Sequence, residues 1–256
     1  MKYINLFETQ AEYDDTKKYY PNVSYIEATD EVVYQYEPDY SKEYLTFEAL
    51  ESGTFTLAGE DVRYSLDGGD TWTLLAANTA TPTLNQGDKI LWKGQFDCNG
   101  KKFSSTCRFN AMGNIMSLMY GDNFIGQTTF PNNFIFYQGV FYQNTRLVSA
   151  ENLVLPVTTL AGNCYSSMFS GCTSLTTAPE LPATTLTNNC YIGMFSGCTN
   201  LNNIKMLATN ISATNCLSNW VNNVASSGIF TKAAEMTTLP TGASGIPSGW
   251  TVVDDR

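Results

Sequence analysis

The chain has 256 residues, of which 43% are apolar and only 15% charged, so it can bury one large or two modest cores beneath an unusually neutral surface. Its net charge of −10 is confined to one end: residues 1–70 hold 16 Asp and Glu against 5 Lys and Arg, while residues 71–256 hold 8 against 9. No basic stripe is present to release counterions from phosphates, which excludes nucleic acid as a partner, and no apolar run reaches the ~20 residues of a membrane span.

The first unit, residues 1–41, opens without the apolar stretch of a secretory signal, so none is expected. Thr9-Gln10-Ala11-Glu12 has the form of a capping box and predicts a short helix over 9–18 that stops before Pro21. Asn22-Val23-Ser24-Tyr25-Ile26 and Glu31-Val32-Val33-Tyr34-Gln35-Tyr36 flank a turn at Ala28-Thr29-Asp30 and predict a hairpin. Glu37-Pro38-Asp39-Tyr40-Ser41 reads as a linker. The acidity of this end is that of a solvated face, or of an arm that docks on a basic partner.

Residues 42–128 alternate β-rich runs with turn residues at the spacing of a β-sandwich-like domain. Within them Ser65-Leu66-Asp67-Gly68-Gly69-Asp70-Thr71-Trp72 resembles the Asp-box, S-x-D-x-G-x-T-W. Its five marker residues are Ser65, Asp67, Gly69, Thr71 and Trp72. Asp67 can satisfy turn amides, the glycines allow positive φ, and Trp72 packs under the hairpin. Sialidases repeat such boxes around a propeller and need several convergent arginines. Here there is one box and four Arg in the whole chain, so the motif reads as a structural hairpin.

Residues 129–256 carry an internal repeat. Leu155-Pro156-Val157-Thr158-Thr159-Leu160 aligns with Leu181-Pro182-Ala183-Thr184-Thr185-Leu186, and the segment from Cys164 to Leu175 aligns with that from Cys190 to Leu201. The period is 26 residues, Cys216 continues it, and an older echo around Tyr137 and Phe141 precedes it at an offset of 28. Such a pattern predicts stacked repeats with atypical ends. Stacking lays Cys164 over Cys190 over Cys216, and likewise superposes Phe169 on Phe195, Cys172 on Cys198 and Leu175 on Leu201. Tyr165, Met168, Phe169 and Cys172 fall at i, i+3, i+4 and i+7, the spacing of one face of a short helix. Leu175-Thr176-Thr177-Ala178 and Leu201-Asn202-Asn203-Ile204 are expected to be short strands. The tail with Ile246, Trp250, Val252 and Val253 has the makings of a cap over the last repeat.

Chemistry is scarce in this inventory. The chain has no His, which removes the usual proton carrier and the commonest zinc ligand, and none of its 7 Cys forms a CxxC pair. No catalytic residue, metal or cofactor is expected, and an enzyme is not. Cys164, Cys190 and Cys216 are expected to be reduced core thiols; whether Cys98 and Cys107, flanking Asn99-Gly100, are bridged is left open. The tyrosines Tyr137, Tyr165 and Tyr191 are read as core on their phase, with a sugar-stacking platform as the competing reading. The uncharged face with Thr176, Thr177, Asn202 and Asn203 is the candidate binding surface.

The repeats resemble the BspA-like leucine-rich repeats of gut Bacteroidales and the phages that infect them. The family pattern maps onto Cys172, Leu175, Ala178, Leu181-Pro182, Met194-Phe195 and Cys198. The stretch with the Asp-box, Asn114-Ile115-Met116-Ser117-Leu118 and Tyr120-Gly121-Asp122-Asn123-Phe124 is similar to the β domain that often precedes them, and Gly245-Ile246-Pro247-Ser248-Gly249-Trp250 looks like the group's terminal cap. The opening, Phe7-Glu8-Thr9-Gln10-Ala11-Glu12-Tyr13 with Pro21-Asn22-Val23-Ser24-Tyr25, resembles N-terminal modules of phage structural proteins. The fold these resemblances imply is mainly β: a small helix-plus-hairpin module, a β-sandwich-like domain, then a short leucine-rich-repeat solenoid with a strand and short helix per repeat. They imply a virion component (head fibre, capsid decoration or tail appendage) held by other virion proteins through residues 1–41 and meeting a host glycan or protein through its repeats. A homo-oligomer is compatible with that role, although no heptad run imposes a trimer. A bacterial cell-surface or secreted adhesin is the alternative; members of that kind normally carry a secretion signal, and none is expected here.

Overall fold

In this computed structural model the described residues are 39–130 and 137–255, together with the backbone of two N-terminal strands. The chain divides into two compact units, Met1–Tyr40 and Ser41–Arg256. In the first, β1 (Val23–Ala28) and β2 (Glu31–Tyr36) pair antiparallel with Val23 opposite Tyr36 and Ala28 opposite Glu31, a hairpin at the expected position. The helix expected over 9–18 lies outside the described residues.

The second unit is mainly β. Its strands are β3 (Leu45–Ala49), β4 (Phe55–Ala58), β5 (Val62–Ser65), β6 (Thr73–Leu75), β7 (Lys89–Lys93), β8 (Lys102–Ser105), β9 (Phe109–Asn114), β10 (Leu147–Val154), β11 (Asn203–Met206), β12 (Ile229–Lys232) and β13 (Thr251–Asp254). Six of them form a sheet in the order β10-β9-β3-β7-β5-β6, antiparallel except for the parallel pair β9 and β10. The short antiparallel pair β4-β8 covers one face of this sheet. Alternation explains the layering: Phe47, Trp92 and Phe109 of the sheet and Phe55 and Phe103 of the cover are all fully buried. Phe47 alone meets Phe103, Phe109 and Phe55 at ring-centre distances of 4.9, 4.8 and 5.3 Å.

From β10 the sheet continues as a parallel ladder. Ser149 bridges Thr177, Thr177 bridges Asn203, and β11, β12 and β13 follow in parallel register. The core is correspondingly continuous across residue 128, with Phe103 stacked on Phe141 at 6.2 Å. The strand expected over 175–178 is reduced to the bridges at Thr177; that over 201–204 becomes β11, shifted two residues along.

The short helix expected in each repeat is absent. The only α-helix among the described residues is α1 (Ser117–Tyr120), and residues 162–171 and 188–197 are runs of consecutive turns. The reason lies in where the backbone N–H groups go. An α-helix returns each one to a carbonyl four residues back in the same segment. Here alternate residues donate to the next repeat instead: Ser167, Phe169 and Gly171 to the carbonyls of Ile192, Met194 and Ser196 at 2.9, 2.9 and 2.8 Å. The next repeat does the same, with Gly193, Phe195 and Gly197 donating to Ser218, Trp220 and Asn222 at 2.9, 2.7 and 2.8 Å. The residues between them close tight turns, as Met168, Ser170 and Cys172 do on Tyr165, Ser167 and Phe169. Left-handed φ values at Asn163 (58°), Tyr165 (46°) and Ser167 (53°) produce this zigzag and are incompatible with a helix.

Among the described residues no helix is long and apolar enough to cross a membrane.

Candidate functional site

Each sequence-selected core residue lies inside the stacked segments. Cys164, Phe169, Cys172, Leu175, Cys190, Phe195, Cys198 and Leu201 are fully buried, and Cys216 is nearly so. Phe141, Phe169 and Phe195 stack face to face at 5.4 Å per step, with 9° and 12° between planes, and Trp220 ends the column 6.0 Å beyond Phe195. Tyr137, Tyr165 and Tyr191 form a second buried column at 5.9 and 6.3 Å. Buried rings offer a ligand no face.

All seven cysteines are free and buried, including Cys98 and Cys107. Burial pushes the thiols of Cys98, Cys164 and Cys172 well above their ordinary range, and those of Cys190 and Cys198 up to about 12. Two of them act as buried donors: Cys172 Sγ donates to the Phe141 carbonyl and Cys198 Sγ to that of Phe169, both at 3.0 Å. These two thiols thus tie their own repeats to the preceding ones, whereas Cys190 Sγ reaches forward to the Cys216 carbonyl.

The candidate face is an in-register row. Ser149, Thr177, Asn203, Ile229 and Thr251 follow one another across the parallel ladder, while the alternating Ile204 and Phe230 point into the core. Thr177 and Asn203 belong to this row. Asn202 is exposed beside it, and Thr176 turns its hydroxyl back to the Val148 carbonyl at 3.1 Å.

A groove, which the sequence did not single out as a site, lies on the outward face of the six-stranded sheet. The Asp-box hairpin builds one wall. Ser65 Oγ donates to Asp67 Oδ1 at 2.6 Å and accepts from Gly69 N at 2.8 Å. Asp67 accepts from Thr71 N at 2.9 Å and from Thr71 Oγ1 at 2.5 Å. Gly68 and Gly69 take φ of 75° and 103°, conformations costly for any other residue. Hydrogen bonds from Ser65 and Thr71 hold the Asp67 carboxyl well below the usual carboxylate range, although it is exposed. Trp72 Nε1 donates to the Gly69 carbonyl at 2.9 Å, which lays the indole over the sheet.

The floor of this groove is the row Leu74, Arg63, Lys93, in which Arg63 stands opposite Leu74 on one side and Lys93 on the other. Lys93 Nζ sits 4.1 Å from the Trp72 ring centre and 2.7 Å from Asp122 Oδ1. Asp122 also accepts from Tyr44 OH at 2.6 Å. Its carboxyl is lowered, chiefly by Lys93 and then by Tyr44; the Tyr44 phenol, chiefly by burial, is pushed up to about 12. Gly94, Gln95, Gly121 and Asn123 form the opposite wall and Asp61 the end of an open groove of about 380 Å³. These residues come from four separate segments with no common spacing, so no sequence signal could have assembled them. Among the described residues no cluster of His, Cys, Asp or Glu is arranged to hold a metal.

Comparison of the chain with protein-family models, with curated proteins and with solved structures found no match.

Proposed function

We propose that this chain is a structural and binding component of a bacteriophage virion (a head fibre, capsid decoration or tail appendage) that displays a short leucine-rich-repeat solenoid toward a host surface or glycan. The observation that carries the display reading is the in-register stacking of the 26-residue segments. Their interior is filled by columns of Phe, Tyr and Cys, so the functional surface of that half lies on the outside. The outward row through Thr177 and Asn203 is uncharged and rich in hydroxyl and amide groups, which suits contact with a polar, neutral surface. The virion assignment rests on the resemblance of the N-terminal segment and the repeats to phage proteins.

Mass spectrometry of gradient-purified particles tests it. Peptides of this chain at stoichiometric abundance support the proposal. Their absence from particles, with recovery from a bacterial outer-membrane fraction, replaces it with the cell-surface adhesin reading.

A further inference from the structure

We infer that the groove between the Asp-box hairpin and the loop at Gly121–Asn123 binds an acidic saccharide, a sugar unit bearing a carboxylate, with Arg63 as the group that receives the anion. The inference deepens the display reading, on which it rests for its biological role, by naming a ligand class and a site away from the repeats.

The charge arrangement carries the argument. Arg63 and Lys93 are directly opposed on adjacent strands, a like-charge placement that disfavours the sheet. Lys93 is compensated, by Asp122 at 2.7 Å and by the Trp72 ring. Arg63 is exposed and has neither an ion pair nor a side-chain hydrogen bond among the described residues, in a chain whose net charge is −10. An unpaired guanidinium at the floor of a groove is a fork for one carboxylate.

The remaining lining says what should surround that carboxylate. The amides of Gln95 and Asn123 make no side-chain hydrogen bond among the described residues, and Asp61 spends one oxygen on Ala77 N at 2.7 Å and keeps the other. Paired donors and acceptors of this kind match vicinal hydroxyls. Leu74, 56% exposed, and the half-buried Trp72 supply apolar surface for the C–H face of a pyranose ring. A polyanion fits badly, because its second and third charges would meet Asp61 and Asp122.

The test is a glycan array pairing uronate- and sialate-terminated glycans with their neutral parents, followed by calorimetry on the best acidic ligand and its methyl ester, for the intact chain and for Arg63→Gln. Arg63 makes no contact whose loss should harm the fold, and circular dichroism verifies this. Binding confined to acidic glycans is expected, weakened about 10- to 100-fold by esterification and by Arg63→Gln alike, and weakened by salt. Thr177→Val, on the separate repeat face, should leave this binding unchanged. The inference is overturned if no acidic glycan binds above its neutral parent, if Arg63→Gln leaves the affinity intact, if Thr177→Val abolishes binding, or if a poly-glutamate peptide or an oligonucleotide binds as well. None of these outcomes bears on whether the chain is found in virions, so the two proposals fail separately.

Discussion

Phe169 is the middle ring of the phenylalanine column, fully buried, with Phe141 and Phe195 each 5.4 Å away and nearly coplanar with it. Phe169→Ala removes a whole ring from between two repeats whose backbones are tied by hydrogen bonds on both sides, so the walls can collapse little. A truncation of this kind costs about 3–5 kcal/mol. Because stacked rings add about 0.5–1.5 kcal/mol beyond the area they bury, neighbouring truncations should not be additive. Urea denaturation followed by Trp fluorescence and far-ultraviolet circular dichroism measures the loss, with Thr199→Ala, at an exposed position, as the control expected within about 0.5 kcal/mol of the parent. The cycle of Phe169→Ala, Phe195→Ala and the double variant should yield a coupling of at least about 0.5 kcal/mol. A Phe169→Ala loss under about 1 kcal/mol, or strict additivity, would refute the column as the element that binds repeat to repeat.

Three further outcomes follow from single sites. Tyr165 OH is buried without a hydrogen-bond partner, unlike Tyr137 OH, which donates to the Ile115 carbonyl at 3.1 Å; Tyr165→Phe should therefore be neutral or raise the melting temperature, and Tyr137→Phe should lower it. A Cβ at Gly113, where φ is 78°, would lie 2.0 Å from the Tyr44 carbonyl oxygen, whereas one at Gly68 meets nothing within 4 Å; Gly113→Ala should fail to yield folded protein while Gly68→Ala folds with a modest loss, as judged by expression and thermal melts. Because the Asp67 carboxyl is held low in the folded chain, its stabilising contribution is fully present above the unfolded value of about 3.9 and disappears only as pH falls through the lower folded value. Carbon-13 NMR of the Asp67 carboxyl should accordingly show no transition between pH 7 and pH ~4, and a midpoint near 3.9 would contradict the hairpin geometry.

Period and burial were legible in the sequence because identical residues recur at a fixed interval and a repeat must hide its apolar positions against its neighbours. The local conformation was not. Tyr165, Met168, Phe169 and Cys172 have helical spacing, yet a zigzag of tight turns places the same four side chains inward. What decides between the two is whether backbone N–H groups bond within a repeat or across to the next one, and Tyr165 and Ser167 give no warning of their positive φ, since neither residue type favours it. The Asp-box could be read because its hydrogen bonds close within eight residues. Its groove could not, since Arg63, Lys93 and Asp122 meet only through strand order and register.

Like residues of successive repeats lying above one another hold the repeat half of the chain together. Long-wavelength anomalous diffraction, which locates sulfur atoms independently of any starting model, tests this most directly. It should place Cys164, Cys190 and Cys216 in one row and Cys172 and Cys198 in another, with steps of roughly 5–6 Å, close to the spacing of neighbouring strands. Sulfurs scattered out of line, or joined in pairs at about 2 Å as disulfides, would contradict it.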